Sequence, residues 1–317
     1  MVEKKTTKLR KLIESNNMPV ITTVAVALQA KMAEAAGFEA VSMAGAAAIA
    51  MVLGLSDTGL VTMTEMAENA QRIANSVNIP LIADCDTGFG NALNARRTVQ
   101  SMIQAGVAGI HVEDQVAPKR CGFTKGKELI SVEEAVGKYR AIIDMRNEMD
   151  KDFFIIARTD GRTAVGGSLE EAIKRAKAYK EQGGVDAIYV EAVQSIDEIK
   201  QIRAAVKGPL FCTTGAINPL PSIQQLKELG LNFILGNPIS DVGNVAIWDM
   251  LVAIKQRGPE VLIEWQRAHK NHPLIWPNFF DLVGFPEVQK LEQKYLPAEA
   301  QAKYDKSQGI YDPRTRK

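Results

Sequence analysis

The chain of 317 residues is short of the residue types that announce many common functions: three cysteines, three histidines, three tryptophans and 6% aromatics overall. Cys85, Cys121 and Cys212 have no metal-ligand spacing and form no disulfide framework, which suits a reducing compartment. No basic tract stands out, and 38 Lys plus Arg balance 37 Asp plus Glu, so neither nucleic acid nor an anionic membrane is called for. The stretch 41–55 is rich in alanine and glycine and too short to span a bilayer. The N-terminal run MVEKKTTKLRKLIE is charged and lacks an apolar signal core, so a cytoplasmic protein is expected. No GxGxxG follows a strand-like run and no Walker A sequence occurs, which sets dinucleotide and P-loop chemistry aside.

What is present is a strict alternation of apolar runs and helical patterns. Strands are expected over 18–23, 38–43, 79–85, 107–112, 153–157, 187–190, 210–212 and 233–235. Gly37, Gly106 and Gly230 end helices, while Ser131 with Glu134, Ser168 with Glu171 and Ser195 with Glu198 open them. A small-residue stretch, 44–50, follows the second strand. Eight such units predict an α/β fold of the closed (β/α)8 TIM type over 1–258, which includes a short N-terminal helix at 9–15. The remainder, 259–317, predicts three further helices (261–269, 274–283 and 286–295) and a polar, loose end over 308–317. Trp265, Trp276, Phe279, Phe280 and Phe285 make this extension apolar, and a partner subunit is the economical cover for it.

The chemistry centres on Ala83-Asp84-Cys85-Asp86-Thr87-Gly88-Phe89-Gly90. Strand alternation puts Asp84 and Asp86 on one face, where two carboxylates repel unless a cation lies between them. Helix capping or solvent exposure is the plainer alternative, but other strand exits carry His111 and Glu113, Arg158 and Asp160, Glu191 and Thr213. Carboxylate-only ligation, mostly through water, favours Mg²⁺, and Mn²⁺ also fits. Arg158 offers a planar fork for a substrate carboxylate. The segment 118–127 is basic and hinged by Gly122 and Gly126, so it can close over an anionic substrate. Within it Cys121, its pKa lowered by basic neighbours, is expected to transfer a proton. Together these parts suit a 2-hydroxy or 2-oxo acid that chelates the cation while a carbon–carbon bond breaks.

The sequence resembles the isocitrate lyase and phosphoenolpyruvate mutase superfamily. The resemblance is carried by Leu53-Gly54-Leu55-Ser56-Asp57-Thr58-Gly59, by Asp84 through Asn91, and by His111-Val112-Glu113-Asp114-Gln115. It continues through Lys119-Arg120-Cys121-Gly122, Ile156-Ala157-Arg158-Thr159-Asp160 and Glu191-Ala192. It implies an α/β barrel, Mg²⁺, a gating loop, and a C-terminal helix exchanged within a tetramer or dimer. Lys119-Arg120-Cys121-Gly122 is similar to the lyase branch, that of 2-methylisocitrate and 2,3-dimethylmalate lyases, and implies that Cys121 is the proton donor. Lys119, Glu113 and Arg158 join it as catalytic residues. Asp84, Asp86 and Glu113 are then the metal set, partly through water, with Asp57 in the same shell. Ala44, Gly45, Ala46, Asp57, Gly122, Phe123, Arg158, Glu191 and Thr213 are then the substrate-binding set.

The chain departs from that pattern at the pocket. Phe123 stands for the histidine after Cys-Gly, Ala44 for a serine, Thr213 at a place where the lyases have an asparagine, and Val24 to Val26 for an Asp-Ala pair. Each swap removes a polar partner worth ~1.5 kcal/mol or more to a carboxylate. The expectation is therefore a lyase for a less polar, dimethylmalate-like diacid, giving pyruvate and a simpler carboxylate. Methylisocitrate cleavage, oxaloacetate hydrolysis or decarboxylation, and phosphonopyruvate-type mutation are the alternatives. An inactive barrel serving as an assembly or regulatory subunit is the alternative from another class.

Overall fold

In the computed structural model, described over residues 3–15 and 17–309, helix α1 (Lys5–Glu14) precedes a parallel sheet wound with helices. The order is β1 (Val20–Val24), α2 (Ala27–Ala35), β2 (Val41–Met43), α3 (Gly45–Leu53), α4 (Met63–Ser76), β3 (Leu81–Asp84), α5 (Ala92–Gln104) and β4 (Gly109–Glu113). It continues with α6 (Val132–Met149), β5 (Phe154–Thr159), α7 (Leu169–Glu181), β6 (Ala187–Val190), α8 (Ile196–Ala205), β7 (Leu210–Cys212), α9 (Ile223–Glu228) and β8 (Ile234–Pro238). The eight strands follow one another around the sheet, with β8 returning to pair with β1. Between β7 and β8 the ladder gives way to Asn232. Its N–H donates to the Leu210 carbonyl (3.0 Å) and its Oδ1 accepts from the Leu210 N–H (3.0 Å). The result is an eight-stranded parallel near-barrel.

Local signals account for most element ends. Ser131, Ser168 and Ser195 each accept a hydrogen bond from the backbone N–H three residues on, which satisfies an otherwise orphaned donor. Gly37 and Gly106 terminate helices at φ +91° and +82°, a conformation that costs a residue with Cβ. Of the small-residue stretch 44–50, Ala44 is the extended residue that precedes α3 and 45–50 form its first part, in a helix of alanine and other apolar residues after Gly45.

Two apolar clusters build the core. One lies between the strands and the surrounding helices, with Ile73, Val99, Ile142 and Ile199 fully buried. The other fills the interior of the sheet with Ile21, Ile82, Phe154, Ile156, Phe211 and Phe233, and Leu9 and Ile13 of α1 belong to it. That placement gives the short N-terminal helix a purpose: its apolar stripe is part of the inner core.

Residues from Asp241 onward form a second unit. It comprises α10 (Ser240–Arg257, beginning at the boundary), α11 (Glu260–Ala268), α12 (Phe279–Leu282), α13 (Phe285–Tyr295), α14 (Ala298–Gln301) and α15 (Lys303–Lys306). The helix expected over 274–283 shrinks to α12. Pro277 lacks an N–H and its ring obstructs the preceding turn, so no helix runs through it. Of the polar end expected over 308–317, residues 310–317 lie outside the described residues. Among the described residues no helix is long and apolar enough to cross a membrane.

Candidate active site

Strand register brings the charged residues together. Asp84 lies opposite His111 across β3 and β4, Glu113 opposite Arg158 across β4 and β5, and Arg158 opposite Tyr189 across β5 and β6. Residues in register on parallel neighbours face the same side, so adjacent strands deliver their polar groups to one place.

Asp84 ends β3 and is pinned by backbone: Oδ2 accepts from the Gly45 N–H (3.0 Å) and Oδ1 from the Asp86 N–H (3.0 Å). Gly45 must lack a side chain here, since a Cβ would stand 2.7 Å from Asp84 Oδ2. The strand alternation expected to align Asp84 with Asp86 does not operate, because β3 stops at Asp84 and Asp86 adopts φ +45°. A left-handed turn brings the two carboxylates together instead, at a conformational cost of the kind found at functional sites.

Lys119 answers this negative cluster. Its ammonium is 2.6 Å from Asp57 Oδ1, 3.2 Å from Asp86 Oδ1 and 3.9 Å from Glu113 Oε1. One ammonium does not balance four carboxylates out of water. Burial pushes Asp86 up to about 6, with Asp84 and Asp57 adding to it against Lys119. Burial likewise pushes Glu113 well above the usual carboxylate range despite Arg158 and Lys119. Burial works on Asp84 in the same sense, but His111, Lys119 and Arg158 outweigh it and hold Asp84 at about 2. His111, buried and with Nδ1 3.6 Å from Asp84 Oδ1, has its pKa lowered by desolvation.

The residues fit a hard divalent cation. Asp57 Oδ1, Asp86 Oδ1 and both Glu113 carboxylate oxygens are buried within ion-pair reach of Lys119 or Arg158 but without a well-directed hydrogen bond. Buried, under-satisfied acceptors of this kind call for positive charge or water. Among the described residues no three His, Cys, Asp or Glu side chains converge closely enough to ligate a metal directly. Ligation partly through water is the arrangement this donor set allows.

Arg158 is held by carboxylates on three sides. Asp160 takes a bidentate pair from Nε (3.0 Å) and Nη2 (3.1 Å), Glu113 Oε2 lies 3.3 Å from Nε, and Glu191 Oε2 lies 3.4 Å from Nη2. Tyr189 packs its ring beneath the guanidinium, 5.2 Å away, and its hydroxyl donates to Glu191 Oε2 while accepting from Thr213 Oγ1 (3.0 Å). Glu191 Oε1 is left buried and unpartnered.

The loop carrying Cys121 reaches this cluster. A Cβ on Gly122 would stand 2.5 Å from Arg158 Nη2, so glycine is what permits the approach. The expectation for the Cys121 thiol is reversed. Burial raises its pKa and Asp57 adds to this, outweighing a hydrogen bond from the Phe123 N–H and the charge of Lys119. The sequence neighbours fail to lower it because Lys119 is engaged by carboxylates and Arg120 is exposed. A thiol that stays protonated is a proton donor rather than a nucleophile.

One cavity of about 130 Å³ gathers these groups. Ala44, Gly45, Ala46, Asp57, Asp84, Cys121, Gly122, Phe123, Arg158, Glu191 and Thr213 all line it. Asp86 and Lys119 line an adjoining hollow, and Glu113 lies buried between Lys119 and Arg158. The lining also includes Thr23, Ser42, Tyr189, Phe211 and Asn237, which the sequence reading passed over. For three of these a signal existed: Ser42, Tyr189 and Phe211 each precede a chosen residue by two on the same strand face.

A family model described as phosphoenolpyruvate phosphomutase matches residues 9–247. The chain is 38% identical over 291 residues to 2,3-dimethylmalate lyase of Eubacterium barkeri, covering 91% of this chain and 97% of that one. It is 39% identical over 285 residues to 2-methylisocitrate lyase of Aeropyrum pernix, covering 89% and 88%. Among solved structures, oxaloacetate acetylhydrolase bound to the inhibitor 3,3-difluorooxalacetate superposes with a TM-score of 0.81 at 30% identity, covering 92% and 97%.

Proposed function

The chain belongs to the phosphoenolpyruvate mutase and isocitrate lyase superfamily, on its lyase branch, and from that premise we propose that it cleaves a substituted malate-like 2-hydroxy acid to pyruvate and a simpler carboxylate. The observation that carries the reading is the convergence of a protonated thiol, a carboxylate-clamped arginine and an unpartnered Glu191 oxygen on one cavity beside the acidic cluster.

Asp84, Asp86 and Glu113, with Asp57 in the same shell, would hold Mg²⁺ partly through water, and Mn²⁺ suits the same oxygens. When bound, the cation supplies positive charge that polarises the substrate's carboxylate and neighbouring oxygen as negative charge develops. Arg158, orientated by Asp160, pairs with a substrate carboxylate. Glu191 Oε1 accepts the proton of the 2-hydroxyl, whose oxygen becomes the carbonyl of pyruvate. The C2–C3 bond breaks, its electron pair passes to C3 and the attached carboxylate, and the Cys121 thiol gives its proton to C3. Lys119 counters the charge of Asp57, Asp86 and Glu113 throughout.

Phe123, Ala44 and Thr213 lie on the lining where the chain departs from the branch pattern, beside Phe211 and Leu235. An apolar wall there favours an alkyl-substituted diacid of the dimethylmalate kind over a tricarboxylate. The deciding experiment offers the protein dimethylmalate, methylisocitrate, isocitrate, oxaloacetate and phosphonopyruvate, with and without Mg²⁺, and follows both pyruvate release and consumption of each acid. Metal-dependent pyruvate from the malate-like acid supports the reading. Turnover of oxaloacetate or phosphonopyruvate alone replaces it with hydrolysis or mutation, and silence without metal binding points to an inactive barrel.

Because Asp86 titrates at about 6, the proton competes with the cation. Mg²⁺ affinity, measured by calorimetry, is expected to fall about tenfold or more between pH 7 and pH 5, since Asp86 and the likewise raised Glu113 must both lose a proton to ligate. A flat profile from pH 5 to 7 would remove Asp86 from the cation's shell.

The second unit supports an oligomer. Val242, Val245, Ile247, Trp248 and Leu251 of α10 are all more than half exposed, and large apolar side chains grouped on one helix are the kind of surface a partner covers. We read α10 and the extension over 259–317 as contacts among subunits of a homotetramer, with exchange of a C-terminal helix. Light scattering should give four times the chain mass, or twice if the assembly stops at a dimer, and a monomer at micromolar concentration sinks this part.

A further inference from the structure

We propose that Lys127 is a positioning residue, whose buried ammonium ties the carbonyl of Gly122 to Asp160 and so seats the Cys121 loop on the same carboxylate that orientates Arg158. The proposal rests on the reading of Cys121 as the proton donor.

An ammonium has three N–H donors, and burying it is costly unless each finds an acceptor. Lys127 is 1% exposed although it lies in a glycine-hinged segment whose residues 123–126 are exposed. All three donors are used, on the Gly122 carbonyl, Thr163 Oγ1 (2.8 Å) and Asp160 Oδ1 (3.0 Å). The Lys127 carbonyl also accepts from the Val165 N–H (2.8 Å), so backbone and side chain both anchor this end of the loop. The opposite end is fixed separately: Gln115 donates to the Arg120 carbonyl (3.0 Å) and accepts from the Arg120 N–H (2.9 Å). Cys121 and Gly122 lie between the two anchors.

The choice of Asp160 as acceptor is what makes the tether more than a loop staple. The oxygen that accepts from Lys127 also accepts from Arg158 Nη2 (3.1 Å), and the other oxygen accepts from Arg158 Nε (3.0 Å). One carboxylate therefore sets the position of the group that binds the substrate and of the loop that brings the acid. Loss of the ammonium frees the loop while leaving the bidentate Arg158–Asp160 pair in place. A residue that merely stabilised the fold would not separate these two effects.

Thiol alkylation reads the loop directly, because Cys85 and Cys212 are fully buried and Cys121 alone is accessible. In Lys127→Met, Cys121 should react with iodoacetamide about tenfold faster or more, the factor expected for one lost charge-assisted hydrogen bond. The rate constant kcat should fall by a similar factor while KM stays within about threefold, since Arg158 keeps its partner. Thr163→Val removes one acceptor with little change of shape and should shift both readouts in the same direction by a smaller factor, even if Lys127→Met fails to fold. Unchanged alkylation in folded variants overturns the tether. Faster alkylation with unchanged kcat overturns its role in the reaction. The alkylation arm needs no substrate, so it decides the tether even if the wild-type protein releases no pyruvate from any acid offered, an outcome that would instead overturn the lyase reading.

Discussion

Cys121→Ser is expected to lower kcat by about 10²–10⁴-fold, the usual contribution of a positioned general acid, with KM changed only a few-fold. The substitution keeps size and replaces a protonated thiol with a hydroxyl that is a far weaker acid. Nothing that binds substrate is touched: Arg158 retains Asp160, and the acidic cluster retains Lys119. The raised thiol pKa matters to this expectation. A thiolate would already have lost the proton it must deliver, whereas a thiol kept neutral by burial and by Asp57 stands ready in its acid form. Pyruvate release followed under single-turnover conditions gives the measurement. A variant with more than about one-tenth of wild-type kcat would assign the proton to another donor.

Arg158→Met should cost about 3–5 kcal/mol of stability, the typical loss when one partner of a buried ionic cluster is removed. Arg158 is 7% exposed and faces Glu113, Asp160 and Glu191, all buried. Methionine fills much of the space but leaves three carboxylates with less positive charge, and Lys127 remains beside Asp160 alone. Urea denaturation of the two proteins measures the difference. Arg158→Lys should lie between them, because an ammonium supplies charge without the planar fork that meets Asp160 with two hydrogen bonds. A loss under about 1 kcal/mol for Arg158→Met would mean that the cluster protonates to neutrality at little cost, contrary to its role here as an ionised clamp. Activity should vanish in both variants if the arginine also binds the substrate carboxylate.

Much of this was readable in the chain because its signals are local. An apolar run that ends in a charge marks a strand exit, and serine followed three residues later by glutamate marks a helix start; both survived folding with small shifts of boundary. Charged residues at strand exits were legible for the same reason, since nothing in a neutral core would place Asp84, Glu113, Arg158 and Glu191 there. What failed depended on tertiary surroundings. Asp86 joins Asp84 through a left-handed turn, which alternation cannot foresee. Burial raises the thiol's pKa, and Lys119, two residues before Cys121, spends its charge on Asp57 and Asp86. Lys127 resembled any loop lysine, and its burial is a property of the folded loop alone. Ser42, Tyr189 and Phe211 carry a legible signal, each two residues before a pocket residue, Ala44, Glu191 and Thr213.

The seam between β7 and β8 has a bearing on how such a protein can change over generations. The ionic machinery stands on β3 to β5 and the start of the following loops, inside an uninterrupted ladder of parallel pairs. Phe211 and Thr213, at the end of β7, and Leu235 to Pro238 of β8 form the opposite wall of the cavity, beside the gap that Asn232 bridges. The wall strands are laddered on one side only, whereas each charged strand lies between two laddered neighbours. Selection for a new acid can therefore act on the wall that meets the substituent while inheriting the bond-breaking apparatus intact, so a lineage can diversify its diet without reinventing its chemistry.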